Sequence, residues 1–257
     1  MNDLGRGHPN NDDWDQHWDD YADSAERNPA SLYRRRLICE SLGSPGPGAR
    51  IIDIGCGQGD LAAELAAQYP QADVVGVDGS QSGIERAVRK APRARFFHRD
   101  LMDGSHPPDE LRAWATHAVC SEVLEHVDDP AGLLRGATAL LAPGCRLVVT
   151  VPGGPMSAFD RHIGHRTHYR RSTLASVVEG GGLVLERVHR AGWPFFNVYR
   201  GLVVARGQRL VAEVSAGSGS NSLGARVGMA AFRTLFRLNT TDSPWGWQLL
   251  AIARFAG

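Results

Sequence analysis

The chain has 257 residues, 42% of them hydrophobic and 22% charged, with a formal net charge of zero. That length and apolar content suit one large α/β domain or two small ones, with enough apolar side chain for a sizeable core. The charge balance excludes a global basic field for nucleic acid, and no stretch approaches the ~18 uninterrupted apolar residues of a membrane span.

The first residues, MNDLGRGHPNNDD, lack the apolar core of a signal peptide. Cys39, Cys56, Cys120 and Cys145 lie far apart and form no C-x-x-C pair. Neither a disulfide scaffold nor a cysteine zinc site is expected, and a reducing cytoplasm is the natural setting. Lys90 is the only lysine, every other basic side chain being arginine. With the Gly and Ala richness, this looks like a GC-rich coding background, so an isolated arginine is not a phosphate reader by default.

Residues 1–13 are polar and read as a disordered start. Trp14, Trp18 and Tyr21 follow at i, i+4, i+7, which places three aromatics on one helical face. That face can pack on the core or line a pocket as a lid. A second helix is expected over 31–42, stopped by Gly43 and the turn-rich SPGPG. Strand–helix alternation then begins. Short strands are expected over 50–54, 74–77, 95–98, 116–120, 145–151, 183–189 and 247–254. The intervening helices include one over 61–69 with Asp60 as N-cap, and one opened by a Ser82/Glu85 capping box. Another runs from Asp129-Pro130 to Leu141, and a fourth runs from Ser172 to the glycines at 180–182. Buried strands alternating with helices imply a mainly parallel, doubly wound sheet. Residues 194–244 are too long for a simple connection. They hold an apolar helix near 195–204, a flexible SAGSGSNS linker and a helix near 223–238. Arg226, Arg233 and Arg237 share one face of the latter. Such a helix can lie on a membrane, or cover a core with its charged face in water.

The informative stretch is IDIGCGQG, a strand that runs into G-x-G-x-G with Asp53 two residues before Gly55. The glycines allow a sharp turn and close approach of a ligand. A nicotinamide fingerprint would read G-x-G-x-x-G; this loop is one residue shorter. A carboxylate beside the loop repels pyrophosphate and suits a ligand with an ammonium or sulfonium. Asp78 ends the second strand, where it can accept from both ribose hydroxyls of an adenosine. Asp100 ends the third and can accept from an adenine amino group; the fourth ends in CSEVLEHV. All four positions are at carboxyl ends of strands, where open α/β sheets bind ligands. Each aspartate could instead be an N-cap or a turn former, but all three fall at matching strand ends beside the glycine loop, which favours the ligand reading; Glu122 and Glu125 could be solvent-facing helix residues.

In this order, IDIGCGQG, VVGVDGS, HRDL, CSEVLEHVDDP and LAPGCRLVVTVP resemble the class I S-adenosylmethionine-dependent methyltransferases over about residues 50–190. SEVLEHVDDP looks like the branch of ubiquinone-pathway and small-molecule O-methyltransferases. The resemblance implies a Rossmann-like α/β fold with seven strands in the order 3-2-1-4-5-7-6, strand 7 antiparallel. It implies a single methyltransferase domain over 14–257, with N-terminal lid helices over 14–43 and a helical insertion over 194–244 before strand 7. It implies S-adenosylmethionine as cofactor, converted to S-adenosylhomocysteine. Contacts are implied at Asp53, Gly55, Cys56, Gly57, Gly59, Asp78, Gly79, Asp100, Leu101, Ser121 and Glu122. One of Arg34, Arg35 and Arg36 is expected to meet the cofactor carboxylate, with Arg35 the choice.

Methyl transfer is an in-line displacement, so the protein mainly aligns and desolvates the reactants. A base is needed only where the acceptor must first lose a proton. His126 is one candidate, against a purely structural helix-start role. The run DRHIGHRTHY offers His165 or His168 as proton acceptors and Tyr169 to orient the acceptor; equally, the run can be a loop that closes the site. His162, His165 and His168 at intervals of three have the spacing of metal ligands, but no carboxylate pair or cysteine is nearby in sequence, and no metal is expected. The expected enzyme methylates an oxygen or nitrogen of a small molecule, in bacterial secondary metabolism. A lipid or quinone methyltransferase working at a membrane surface is the alternative, and a protein that binds the cofactor without turning it over is a third reading. A dehydrogenase would instead bind NAD. Nucleic acid is not expected as substrate, since no NPPY-like motif follows strand four. A monomer or homodimer is expected.

Overall fold

The computed structural model describes residues 28–215 and 223–257. The aromatic stripe of Trp14, Trp18 and Tyr21, the stretch 1–13 and most of the SAGSGSNS linker lie outside the described residues.

Seven strands form one sheet: β1 (Arg50–Ile54), β2 (Asp73–Asp78), β3 (Arg95–His98), β4 (Ala115–Ser121), β5 (Leu141–Pro152), β6 (Val184–Ala191) and β7 (Gln248–Arg254). Their order is β3-β2-β1-β4-β5-β7-β6. Pairing is parallel from β3 through β5. β7 runs antiparallel to both β5 and β6. This is the order and the polarity that the resemblance implies.

The sheet is covered on both faces, and the period-two alternation of β1 shows how. Ile52 and Ile54 pack with Leu133, Leu134, Leu174 and Val178. Ile51 packs on the opposite side with Leu37, Ile38, Leu61 and Leu65. The first face is closed by α4 (Pro130–Thr138) and α6 (Arg171–Gly180); the second by α1 (Pro29–Ser41) and α2 (Asp60–Gln68). Each fully buried Leu or Ile contributes ~1.5–3 kcal/mol relative to exposure. Between them in the chain come α3 (Gln81–Lys90) and the short α5 (Ala158–His162).

Three local expectations are corrected. Asp60 does not cap α2: the N-cap is Gly59 in a left-handed conformation. The Asp60 carboxylate instead accepts from Gln58 Nε2 at 2.8 Å and Lys90 Nζ at 2.8 Å. Ser80, not Ser82, caps α3, its hydroxyl accepting from the Gly83 amide. The helix after Asp129 ends at Thr138, and Leu141 already belongs to β5. That strand begins before the expected residue 145, with Pro143 and Gly144 inside it.

The insertion is α7 (Phe195–Ser215), α8 (Leu223–Leu235) and a 3-10 turn at Phe236–Leu238. Helix α7 runs well past residue 204 and is kinked at Gly207 (φ 47°, ψ −128°). Aromatic rings fasten the insertion to α1. Tyr33 has its ring centroid 5.4 Å from Phe196 and 5.5 Å from Phe236, and Tyr199 is 5.3 Å from Phe232. The Tyr199 hydroxyl also donates to Asn28 Oδ1 at 3.1 Å.

Candidate active site

The turn from β1 into α2 supplies the first wall. Gly55 has φ +71°, and a Cβ there would stand 2.4 Å from Val123 Cγ2. Gly59 has φ +82°, and its Cβ would meet the Ala87 backbone at 2.9 Å. No side chain fits either position, so the loop lies flat against its neighbours, the Gly55 and Cys56 amides donating to the Val77 carbonyl and the Gly59 amide to the Cys56 carbonyl. Asp53, just before it, is 2% exposed, and its Oδ2 has no hydrogen-bond partner. Burial, reinforced by the charges of Asp78 and Asp60, pushes its carboxyl up to about 7. Cys56 is buried, which holds its thiol well above the usual range.

Asp78 is wired to this loop. Its Oδ2 accepts from the Gly57 amide at 2.7 Å and its Oδ1 from the Ser80 amide at 2.8 Å. It is thus a turn former as well as a candidate ligand. Asp100 is exposed and closes a turn through the Met102 amide at 2.8 Å. Gly79 is exposed, with open space around it, and Leu101 is partly buried at the same edge.

A cavity of about 620 Å³ opens beside the loop. Asp53, Gly55, Cys56, Ser121 and Glu122 line one end, and Phe159, Ile163, His126 and His165 the other. Gly57, Gly59, Asp78, Gly79, Asp100, Leu101, His168 and Tyr169 are not on its wall. Of the three arginines, Arg34 and Arg35 line it, while Arg36 pairs with Glu40 at the surface. Arg35 is held by Glu64 at 2.7 Å and Arg34 by Glu122 at 3.5 Å. Glu122 is a non-glycine residue at φ +56°, and it also accepts from Gln248 Nε2 at 2.9 Å. A bulky residue there is strained, and such strain is concentrated at ligand sites.

The insertion forms the roof. Phe196, Tyr199, Arg200, Leu202, Val203 and Phe232 reach the cavity. Arg200 donates to Asp160 Oδ2 at 2.7 Å. Burial alone would raise the Asp160 carboxyl, but the Arg200 hydrogen bond and charge hold it down to about 2. Asp160 also closes a capping box with Ser157 at the start of α5.

The histidine run folds back against the 3-10 turn Leu124–His126, pinned by the Arg166 amide on the Glu125 carbonyl at 2.8 Å. His126 and His165 stand edge to face, with ring centroids 4.7 Å apart. His165 Nδ1 is 3.2 Å from His168 Nε2, and His168 Nδ1 is 3.2 Å from the Gly154 carbonyl. Burial, then the charge His126 would carry, depresses His165 strongly; burial also lowers His168. Tyr169 does not face the cavity: it is 6% exposed, and its hydroxyl donates to the Leu124 carbonyl at 2.8 Å. His162 is exposed. Glu125 is not solvent-facing but fully buried, and its carboxyl is raised by burial and by Glu122. The premise that no carboxylate is near the histidines fails in space, since Glu125 and Asp160 both flank His165.

Several wall residues carry no signal in the sequence. Phe159, Phe232 and Trp247 read there as ordinary apolar positions. Gln248 carries a faint one, a lone amide at the head of a strand that is apolar up to Arg254.

Comparison with known proteins agrees with this fold. A family described as a methyltransferase domain matches residues 26–188. A trans-aconitate 2-methyltransferase of Methylobacterium nodulans is 34% identical over 143 residues, 54% of this chain and 50% of that protein. A ubiquinone biosynthesis O-methyltransferase of Psychrobacter cryohalolentis is 37% identical over 103 residues, 38% of each chain. The chain thus matches half or less of these curated relatives. Phosphoethanolamine N-methyltransferase 2 of Haemonchus contortus, solved with S-adenosyl-L-methionine, shares the fold at TM-score 0.62 and 16% identity, covering 95% of this chain and 60% of that one.

Proposed function

The chain belongs to the class I S-adenosylmethionine-dependent methyltransferases, and from that membership we propose that it methylates an oxygen or nitrogen of a small molecule in bacterial secondary metabolism. The carrying observation is one cavity of about 620 Å³ that joins the glycine loop to the histidine cluster. The arginine-rich composition and the long insertion over the cavity support the metabolic setting.

The residues present fit the cofactor. The unpartnered Asp53 Oδ2 and the flat loop at Gly55 suit a close-lying cationic ligand. S-adenosylmethionine, when bound, supplies a sulfonium-activated methyl group. Asp78, braced by the Gly57 and Ser80 amides, is assigned to the ribose hydroxyls. Asp100, Gly79 and Leu101 are assigned to the adenine edge, and Arg35 or its neighbour Arg34 to the carboxylate. Ser121 and Glu122 sit between cofactor and acceptor. The roof aromatics exclude water, which strengthens every charge interaction beneath them. His126 and His165, the two imidazoles on the wall among the described residues, are assigned to the acceptor. His168 and Tyr169 act through others: His168 orients His165, and Tyr169 clamps the turn that bears His126.

The test is thermal unfolding with S-adenosylmethionine, S-adenosylhomocysteine and NAD, on wild type and Asp78→Ala, followed by transfer of labelled methyl to a panel of hydroxyl and amine acceptors. Ligand at 100 times its Kd stabilises by ~2.7 kcal/mol. The sulfur cofactors are expected to raise Tm in wild type and much less in Asp78→Ala. A shift with NAD alone, or methyl transfer to none of the acceptors, defeats the proposal.

A second reading has one observation of its own. Val198, Leu202 and Val227, all on the insertion, are 53%, 52% and 61% exposed. They favour a lipid or quinone acceptor met at a membrane surface, although no helix among the described residues is long and apolar enough to cross one. Co-sedimentation with liposomes, lost on deleting residues 194–240, supports that reading; its absence in the full chain removes it.

A further inference from the structure

Two oxygens and two nitrogens at the acceptor end of the cavity are arranged in a way that proton transfer to a substrate does not by itself explain. Glu125 is fully buried, and neither of its carboxyl oxygens has a hydrogen-bond partner. His126 Nε2 and His165 Nε2 each stand 4.0 Å from Glu125 Oε1. That distance is too long for a hydrogen bond.

The histidine chain fixes which lone pair points inward. The Gly154 carbonyl can only accept, so His168 Nδ1 carries its proton. In the neutral ring His168 Nε2 is then an acceptor, and it takes the His165 Nδ1 proton at 3.2 Å. This leaves His165 Nε2 as a bare lone pair aimed at Glu125. A ring nitrogen oriented through a hydrogen bond on its far side is the usual support of a metal-bound imidazole.

We propose that Glu125, His126 and His165 form a site for one divalent transition-metal ion of the zinc class, open on its fourth side to the cavity. The three ligand atoms lie within 4.8 Å of one another. Ligands of a tetrahedral zinc with bonds of ~2.0–2.1 Å stand about 3.4 Å apart, so adjustments of about an ångström close the set. Two histidines, one carboxylate and an open position make a catalytic rather than a structural donor set. Asp160, His165 and His168 form the rival group. It is the weaker one, because Arg200 already neutralises Asp160 and His168 is used to orient His165.

This deepens the methyltransferase reading and rests on it. His126 and His165 line the cavity while Glu125 stands behind them. The ion would therefore select acceptors that present a hydroxyl oxygen. That hydroxyl loses its proton to solvent, its oxygen bonds to the methyl carbon, and the carbon–sulfur bond breaks with its electron pair left on sulfur.

The test uses the full chain, stripped with a chelator and titrated with Co²⁺ as a spectroscopic probe. Expected are one equivalent bound, visible d–d bands of a four-coordinate ion, and displacement by Zn²⁺. Glu125→Gln and His165→Asn should each weaken Co²⁺ binding at least tenfold, and His168→Asn should weaken it by about 10–100-fold, the range for an orienting partner. His162→Ala, at an exposed histidine nearby, should bind as wild type does. S-adenosylhomocysteine affinity, measured on every protein, should not change with the metal. If Glu125→Gln does not fold, His165→Asn on its loop carries the same test. Co²⁺ binding that is absent in wild type, or equal in wild type and both ligand variants, overturns the metal site. Retained S-adenosylhomocysteine binding in that case leaves the methyltransferase reading standing; loss of both defeats both.

Discussion

Arg200, on the insertion, donates to Asp160 at 2.7 Å, and this bond ties the roof of the cavity to the segment that carries the histidines. Asp160 is 1% exposed and the Arg200 side chain 14%. Removing one partner of such a pair strands the other. Arg200→Ala is expected to destabilise by about 3 kcal/mol in urea unfolding, at the low end of the range for breaking a buried pair. Arg200→Ala with Asp160→Asn should recover part of that loss, because the stranded charge is gone. A double variant no more stable than Arg200→Ala alone would mean that the pair is not the linkage.

The glycine loop gives a steric prediction. Gly55→Ala meets both a left-handed backbone and a Val123 methyl at 2.4 Å. The first costs ~1–2 kcal/mol and the second ~1–3 kcal/mol. Val123→Ala in the same chain should relieve only the packing part. Full rescue would show that backbone conformation costs nothing here, and no rescue that the contact does not matter. Chemical denaturation of the three variants separates these outcomes.

Glu122 offers the opposite case. Glu122→Gly relieves a left-handed residue, worth ~1–2 kcal/mol. It also loses the Arg34 pair and one Gln248 hydrogen bond, and Gln248 Nε2 keeps the Val151 carbonyl at 3.0 Å. Stability should therefore change by no more than about 1 kcal/mol. Ligand affinity, measured by calorimetry with S-adenosylhomocysteine, should fall at least tenfold as Arg34 loses its anchor. A large drop in Tm with unchanged affinity would make Glu122 a structural residue.

These cases also show what was legible in the sequence. The β1 loop, Asp78 and the strand order could be read because their chemistry is local: a backbone that only glycine accepts, and a carboxylate at a strand end. Asp60 and Ser82 misled because the chain turns one or two residues earlier than their spacing suggests, with Gly59 and Ser80 as the caps. Glu125 could not be read. In SEVLEHV it sits in a polar pair beside His126, and the chain returns over that turn at Arg166, whose amide donates to the Glu125 carbonyl. The same return brings Glu125 to histidines forty residues away, a proximity that no spacing along the chain encodes. The roof was equally hidden, since the insertion's Phe196 and Phe236 meet Tyr33 across a long separation in the chain.

Asp53 carries the sign of the pH dependence. Its carboxyl is raised from the ordinary 3.8 to about 7 by burial and by the charges of Asp78 and Asp60. The folded chain therefore binds this proton more tightly than the unfolded chain does. Folding does not suffer below about pH 4, where both states are protonated. As pH rises toward 7 the unfolded state ionises and the folded state does not, so stability falls; above 7 the loss is complete. Three pH units at 1.36 kcal/mol each set an upper bound of about 4 kcal/mol, on the order of a few in practice. Asp53→Asn removes the charge at nearly constant shape. It should raise Tm at pH 8, and the gain should shrink steadily toward pH 5, read by thermal unfolding of both proteins without cofactor across that range. A gain that grows as the pH falls would mean that the folded state prefers the carboxylate, and burial would then not be what governs Asp53.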